Sequence, residues 1–149
     1  MFLIGLMLLT SNAHGDDYVQ SRKWNVTPKI MICKNSKTTV QSVKSAANFW
    51  KKEGYSIGSI VKEKNAECND NYEYGYILIS GNYHLDTSEK YGETTPWLIQ
   101  GTKTQVGATV DLSSLHANNV KLLRHEIGHG LGLDHVHVVS NVMYPYANY

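Results

Sequence analysis

Residues 125–135 read His125-Glu126-Ile127-Gly128-His129-Gly130-Leu131-Gly132-Leu133-Asp134-His135, and their spacing predicts a metal site. Two histidines four apart on a helix share one face, so the imidazoles of His125 and His129 can reach one ion. Gly132 can take positive φ, which ends the helix and turns the chain sharply. The turn lets His135 approach from outside the helix as a third ligand. Three protein ligands leave one tetrahedral position open, which separates a catalytic site from a closed structural one. Glu126 adjoins the first ligand and is the candidate general base for a water in that position. The competing reading is a helix with a few surface histidines, which leaves the register of all five residues unexplained.

Met143 follows His135 by eight residues, inside Asn141-Val142-Met143-Tyr144-Pro145. The two stretches together carry the H-E-x-x-H-x-x-G-x-x-H signature and the Met-turn of the metzincins. Within that class the chain resembles the matrixins, whose pattern is Leu-Gly-Leu-x-His, a short loop, then Leu-Met-Tyr-Pro. Here it reads Leu131-Gly132-Leu133-Asp134-His135 and then Val142-Met143-Tyr144-Pro145, with the same separation. Astacins and serralysins are less similar, because they place a tyrosine two residues after the methionine, where this chain has Pro145.

The resemblance implies an α+β, zincin-like fold: a mixed, twisted five-stranded sheet, two main helices and a short C-terminal subdomain containing the Met-turn. It implies one catalytic Zn2+ on His125, His129 and His135, with Glu126 as general base and Gly132 at the turn. Met143 would be an apolar floor beneath the metal, supported by Tyr144 and Pro145. The implied activity is hydrolysis of peptide bonds in extended polypeptides, the substrate pairing with an edge strand at residues 96–103. One alternative is a non-catalytic zincin-fold binding or structural protein, such as a virion component or adhesin. Retention of Glu126 and of all three histidines speaks against it. A zinc hydrolase acting on a non-peptide amide would use the same residues.

The remaining composition sets bounds. At 149 residues with 42% apolar content, one compact domain is expected and disorder is not. A formal charge of +1 gives no electrostatic footprint for nucleic acid or an anionic membrane. Residues 2–9 form an apolar run too short to span a bilayer, and Ser11-Asn12-Ala13 offers small residues where a signal peptidase reads. Residues 1–13 are therefore expected to be a signal peptide and residues 14–149 a single metallopeptidase domain. That product would be monomeric, secreted or periplasmic, and not stably inserted in a membrane. The run lacks a leading Lys or Arg, so a mis-assigned start and a buried terminal strand stay open as alternatives.

Cys33 and Cys68 are the two cysteines, and an even count behind an export signal favours one disulfide over two buried thiols. Many matrixins are held latent by a propeptide cysteine in Pro-Arg-Cys-Gly. Cys33 sits instead in Met31-Ile32-Cys33-Lys34, so no thiol latch is expected, nor an evident propeptide. Only six residues follow Met143, so the family's C-terminal helix is expected to be missing. The family's Pro-x-Tyr pocket wall is altered too, and either Tyr146 or Tyr149 could stand in for the displaced tyrosine.

Periodicity places the other elements. Strands are expected at residues 26–33, 56–64, 72–80, 96–103 and 106–112, with a long polar loop at 81–95. Tyr72, Tyr74 and Tyr76 would share one face of the third strand. A helix is expected over residues 38–52, where Val40, Val43, Ala47 and Trp50 form a stripe between capping threonines and Gly54. In the second helix Val120, Leu123 and Ile127 would face the core, while Leu122, His125, Glu126 and His129 face a cleft; Ser113, Ser114 or an asparagine just beyond would cap it. His84-Leu85-Asp86 matches the His-x-Asp of a second, structural Zn2+ in matrixins, which also bind structural Ca2+; the plainer reading is a solvated loop. His137 is read as a loop histidine rather than an extra base, and Asn25-Val26-Thr27 is a glycosylation sequon.

Overall fold

A computed structural model of the chain describes residues 18–63, 68 and 73–145. The expected signal peptide, Tyr72, Tyr146 and Tyr149 lie outside the described residues. The elements run β1 (Lys23–Trp24), β2 (Lys29–Ile32), α1 (Val40–Lys52), β3 (Ile60–Lys62), β4 (Tyr76–Gly81), a 3-10 turn (Tyr83–Thr87), β5 (Gly92–Leu98), β6 (Thr104–Leu112) and α2 (Val120–Gly130). They form a mixed α+β arrangement of one sheet and two helices.

Among the described residues the sheet comprises the five expected strands and the two-residue β1 beside the start of β6. The segment Lys23-Trp24 is too short to carry any alternation, so no sequence period could reveal it. Strands β3, β2, β4 and β6 are mutually parallel, and β5 returns antiparallel along β6. Helix α1 crosses between the parallel neighbours β2 and β3, as a parallel connection requires.

Helix formation follows the expected stripes. Thr39 caps α1 by accepting from the Ser42 N–H, and Gly54 leaves the helix at φ 93°. Val43, Ala46, Ala47 and Trp50 of α1 meet Leu122, Leu123 and Ile127 of α2 over Ile30, Ile32, Ile77, Ile79, Ala108, Val110 and Leu112 of the sheet. The Trp50 indole N–H donates to the Arg124 carbonyl at 2.8 Å and pins the two helices together. Asn119 caps α2 by accepting from the N–H groups of Lys121 and Leu122.

Several boundaries differ from expectation. The third expected strand starts at Tyr76, because Tyr74 and Gly75 form a turn with Gly75 at φ 80°; Tyr74 is exposed and accepts from Asn25. The two tyrosines therefore do not share a strand face. The loop at 81–95 contains the 3-10 turn, whose Leu85 is buried, and the first residues of β5. The edge strand is Gly92–Leu98 rather than 96–103, since Thr94 and Thr95 pair across to Val110 and Thr109 while the chain turns back through Gly101. Pro96 is tolerated mid-strand because β5 is paired on β6 alone. Cys33 and Cys68 form a disulfide. Among the described residues no helix is long and apolar enough to cross a membrane.

Candidate metal centre and active-site cleft

Helix α2 carries His125 and His129 one turn apart, and the chain leaves it through Gly132 at φ 95°. That turn delivers His135 to the same point. The three Nε2 atoms stand 3.1, 3.0 and 3.3 Å from one another. Burial falls along the series: His125 is buried, His129 half-buried and His135 exposed.

The donor set fits a zinc ion. His125 Nδ1 lies 2.7 Å from the Val142 carbonyl, and His129 Nδ1 lies 2.9 Å from the Leu133 carbonyl. Carbonyls only accept, so both Nδ1 atoms carry the proton and both Nε2 atoms present lone pairs. Two such lone pairs 3.1 Å apart cannot satisfy each other, but a cation between them can. Nitrogens held tetrahedrally at about 2.0–2.1 Å from zinc stand about 3.3–3.4 Å apart, close to the spacing of the triad. Burial pushes all three imidazoles down, His129 to about 4, so each is the neutral form that binds metal. Among the described residues this triad is the one cluster able to hold a metal.

Three other segments hold the three histidines in place. The N-terminal strap of residues 18–24 lies against the exit of α2 and satisfies carbonyls that a helix end leaves open. The indole of Trp24 and the amide of Gln105 both donate to the Gly130 carbonyl, at 2.9 and 2.6 Å. Gln20 reaches the Leu131 carbonyl, and Arg22 reaches the Leu133 carbonyl that also orients His129. The Asn141 side chain accepts from the Met143 N–H, and the Met143 carbonyl accepts from Val136, next to His135. Met143 itself is fully buried, and a Cβ on Gly128 would collide with its sulfur and with Trp50. Tyr144 continues this turn through its N–H to the Asn141 carbonyl.

A cleft of about 890 Å³ opens over the triad, with Glu126 and Leu122 of α2, Pro145, and Gly92, Thr94 and Pro96 of β5 in its walls. Glu126 is buried, and desolvation pushes its carboxyl up to about 7 despite a 2.7 Å hydrogen bond from Thr94. A cation held by the triad would favour the ionised form and pull that value back down.

Other residues singled out from the sequence lie elsewhere. Asp86 accepts from both the N–H and the hydroxyl of Ser114, so it fastens the 3-10 turn to the approach of α2; the Ser114 hydroxyl bond is the main cause of its lowered pKa. The His84 ring lies tilted against Tyr83, and His116 stacks on Tyr91 while its Nδ1 meets the Ser113 hydroxyl. His137 is exposed. Gln20, Arg22, Gly92 and Thr94 were not legible in the sequence because they belong to no motif and come from segments distant from the helix along the chain.

Sheet, helix and triad define a metzincin-like domain. A sequence model of the matrixin family, peptidase M10, matches residues 69–149, just over half of the chain, and the chain belongs to that family. Matrixins are zinc metalloendopeptidases. Comparison with curated proteins gave no match.

Proposed function

We propose that this protein is a zinc-dependent endopeptidase that cleaves extended polypeptide. The observation that carries the reading is the convergence of three imidazole Nε2 atoms within 3.3 Å, in a cleft that also holds a buried carboxylate. His125, His129 and His135 would hold the ion, and Met143 would pack beneath it. Bound zinc would polarise the scissile carbonyl and acidify the attacking water.

The chain's own groups supply the rest. In the β5–β6 ladder the Tyr91 carbonyl accepts from Ser113, which makes the odd-numbered β5 residues the ones bonded to β6. The main-chain groups of Gly92, Thr94 and Pro96 therefore point to the free edge along the cleft. An extended substrate can add there as a further strand, held by its backbone rather than its side chains. Glu126 takes a proton from the attacking water and returns it to the leaving amine nitrogen. The disulfide suits an exported protein working in an oxidising compartment.

The test is cleavage of casein by the purified protein, with and without a zinc chelator, beside Glu126→Ala. Chelator-sensitive cleavage lost in a folded Glu126→Ala variant is expected. A folded, zinc-loaded protein that leaves casein and a peptide library intact would overturn the reading in favour of a non-catalytic binding protein.

A further inference from the structure

We propose that Thr94 is the positioning residue for the general base and that it selects Glu126 Oε1 as the oxygen that moves the proton. This rests on the endopeptidase reading above. The Thr94 hydroxyl lies 2.7 Å from Glu126 Oε2 and 3.1 Å from the Glu126 carbonyl. A hydroxyl has one proton to give, and the shorter contact, to the carboxylate, takes it. Oε2 thereby gives one of its two acceptor sites to β5, whereas Oε1 accepts nothing from Thr94.

Oε1 is left to face Gly92. A Cβ built on Gly92 would stand 3.1 Å from Oε1 and 3.0 Å from Glu126 Cγ. Gly92 and Thr94 are two apart on one strand, so both lie on the face of β5 turned toward α2. One clears space beside the carboxylate while the other grips it. The glycine, lacking a side chain, leaves the space beside Oε1 unfilled, so that oxygen is the one assigned to the water proton. In the reaction a water O–H bond breaks as Oε1–H forms, and the water oxygen bonds the carbonyl carbon while the C=O π pair moves onto the carbonyl oxygen. The same proton then passes from Oε1 to the amide nitrogen as the C=O bond re-forms and the C–N bond breaks, which restores the carboxylate.

Thr94 is suited to this by its backbone. Its β-branched side chain has few rotamers, and its residue is registered against Val110 in the sheet. Its own main-chain groups face the free edge where substrate would pair. The hydroxyl thus fixes the base relative to the strand that aligns the scissile bond. Glutamate otherwise has several rotatable bonds and gives up side-chain entropy to hold one orientation.

The experiment compares wild type, Thr94→Val, Thr94→Ala, Thr94→Ser and Glu126→Ala by kcat and KM on a cleaved peptide, zinc content and melting temperature. Crystal structures of metal-free wild type and Thr94→Val are solved beside them. Misplacing a catalytic group by about 1 Å costs about 100-fold. Thr94→Val is therefore expected to lose about 10- to 100-fold in kcat with KM changed less than about threefold, zinc retained, and Thr94→Ser recovering most of the loss. In its crystals the Glu126 carboxylate should leave the position it holds in wild type. If Thr94→Val does not fold, Thr94→Ala carries the same expectations. A kcat within twofold of wild type in whichever variant folds, or an unmoved Glu126 carboxylate, overturns the proposal. Absence of cleavage by wild type overturns the endopeptidase reading instead, and the Glu126 position still decides the role of Thr94.

Discussion

The carbonyl of Gly132 accepts the Arg22 N–H at 3.3 Å, and the Arg22 carbonyl occupies the space where a Gly132 Cβ would project. The turn that delivers His135 is therefore closed by the strap of residues 18–24, more than 100 residues away in sequence. Gly132→Ala meets two penalties, a left-handed φ of 95° and a backbone collision. It should lower stability by about 2 kcal/mol or more and weaken zinc binding as His135 shifts. Chemical unfolding with and without zinc, and a chelator competition, check both expectations.

Arg22 donates to the Leu133 carbonyl, which is also the carbonyl facing His129 Nδ1, and pairs with Asp134 at 3.5 Å. The ion pair is partly exposed and contributes little. The hydrogen bond to the turn matters more, so Arg22→Met should cost about 1 kcal/mol. It should also speed zinc release, measured with a metal-sensitive dye. An unchanged release rate would separate the strap from the metal site.

Ionisation of Glu126 and His129 acts in opposite directions on the metal-free protein. The Glu126 carboxyl is raised from 4.5 to about 7, so its contribution is fully present below 4.5 and is lost as pH rises through 7. His129 is depressed from 6.5 to about 4, so its contribution is present above 6.5 and is lost as pH falls through 4. Glu126→Gln removes the first effect. In a chelator, the variant should match wild type at pH 4.5 and exceed it at pH 8 by up to about 3 kcal/mol. Urea unfolding midpoints across that range provide the measurement.

Pro96 places a carbonyl but no N–H on the free edge of β5. Pro96→Ala adds one donor for an extended substrate. The gain of one hydrogen bond predicts a KM lower by about 2- to 10-fold on peptides long enough to reach that position, with little change on short ones. A series of substrates of increasing length tests this, and a length-independent effect would argue against strand addition at Pro96.

The Cys33–Cys68 bond closes a 35-residue separation, and Cys33 is fully buried. Loop-closure entropy puts its contribution at about 3–4 kcal/mol. Replacing both cysteines by serine should lower the melting temperature while leaving zinc stoichiometry at one. Loss of zinc binding in a folded variant would show that β2 and β4 transmit strain to the site.

Local chemistry alone made the histidine triad legible. His125 and His129 sit on one helix, Gly132 encodes its own turn, and His135 follows within the same few residues, so spacing along the chain is spacing in the fold. Helix α1 was legible for a related reason: a 3.6-residue period survives in sequence when one face is buried. What the tertiary structure alone decided is how that motif is held and what surrounds it. The two-residue β1 has no period to read, and β5 is polar because one edge and much of one face meet the cleft, so its true start at Gly92 looked like loop. Thr94 meets Glu126 across 32 residues and Arg22 meets Leu133 across 111. Such contacts depend on where segments come to lie, which sequence separation does not record, and they supply the strap, the cleft wall and the grip on the Glu126 carboxylate.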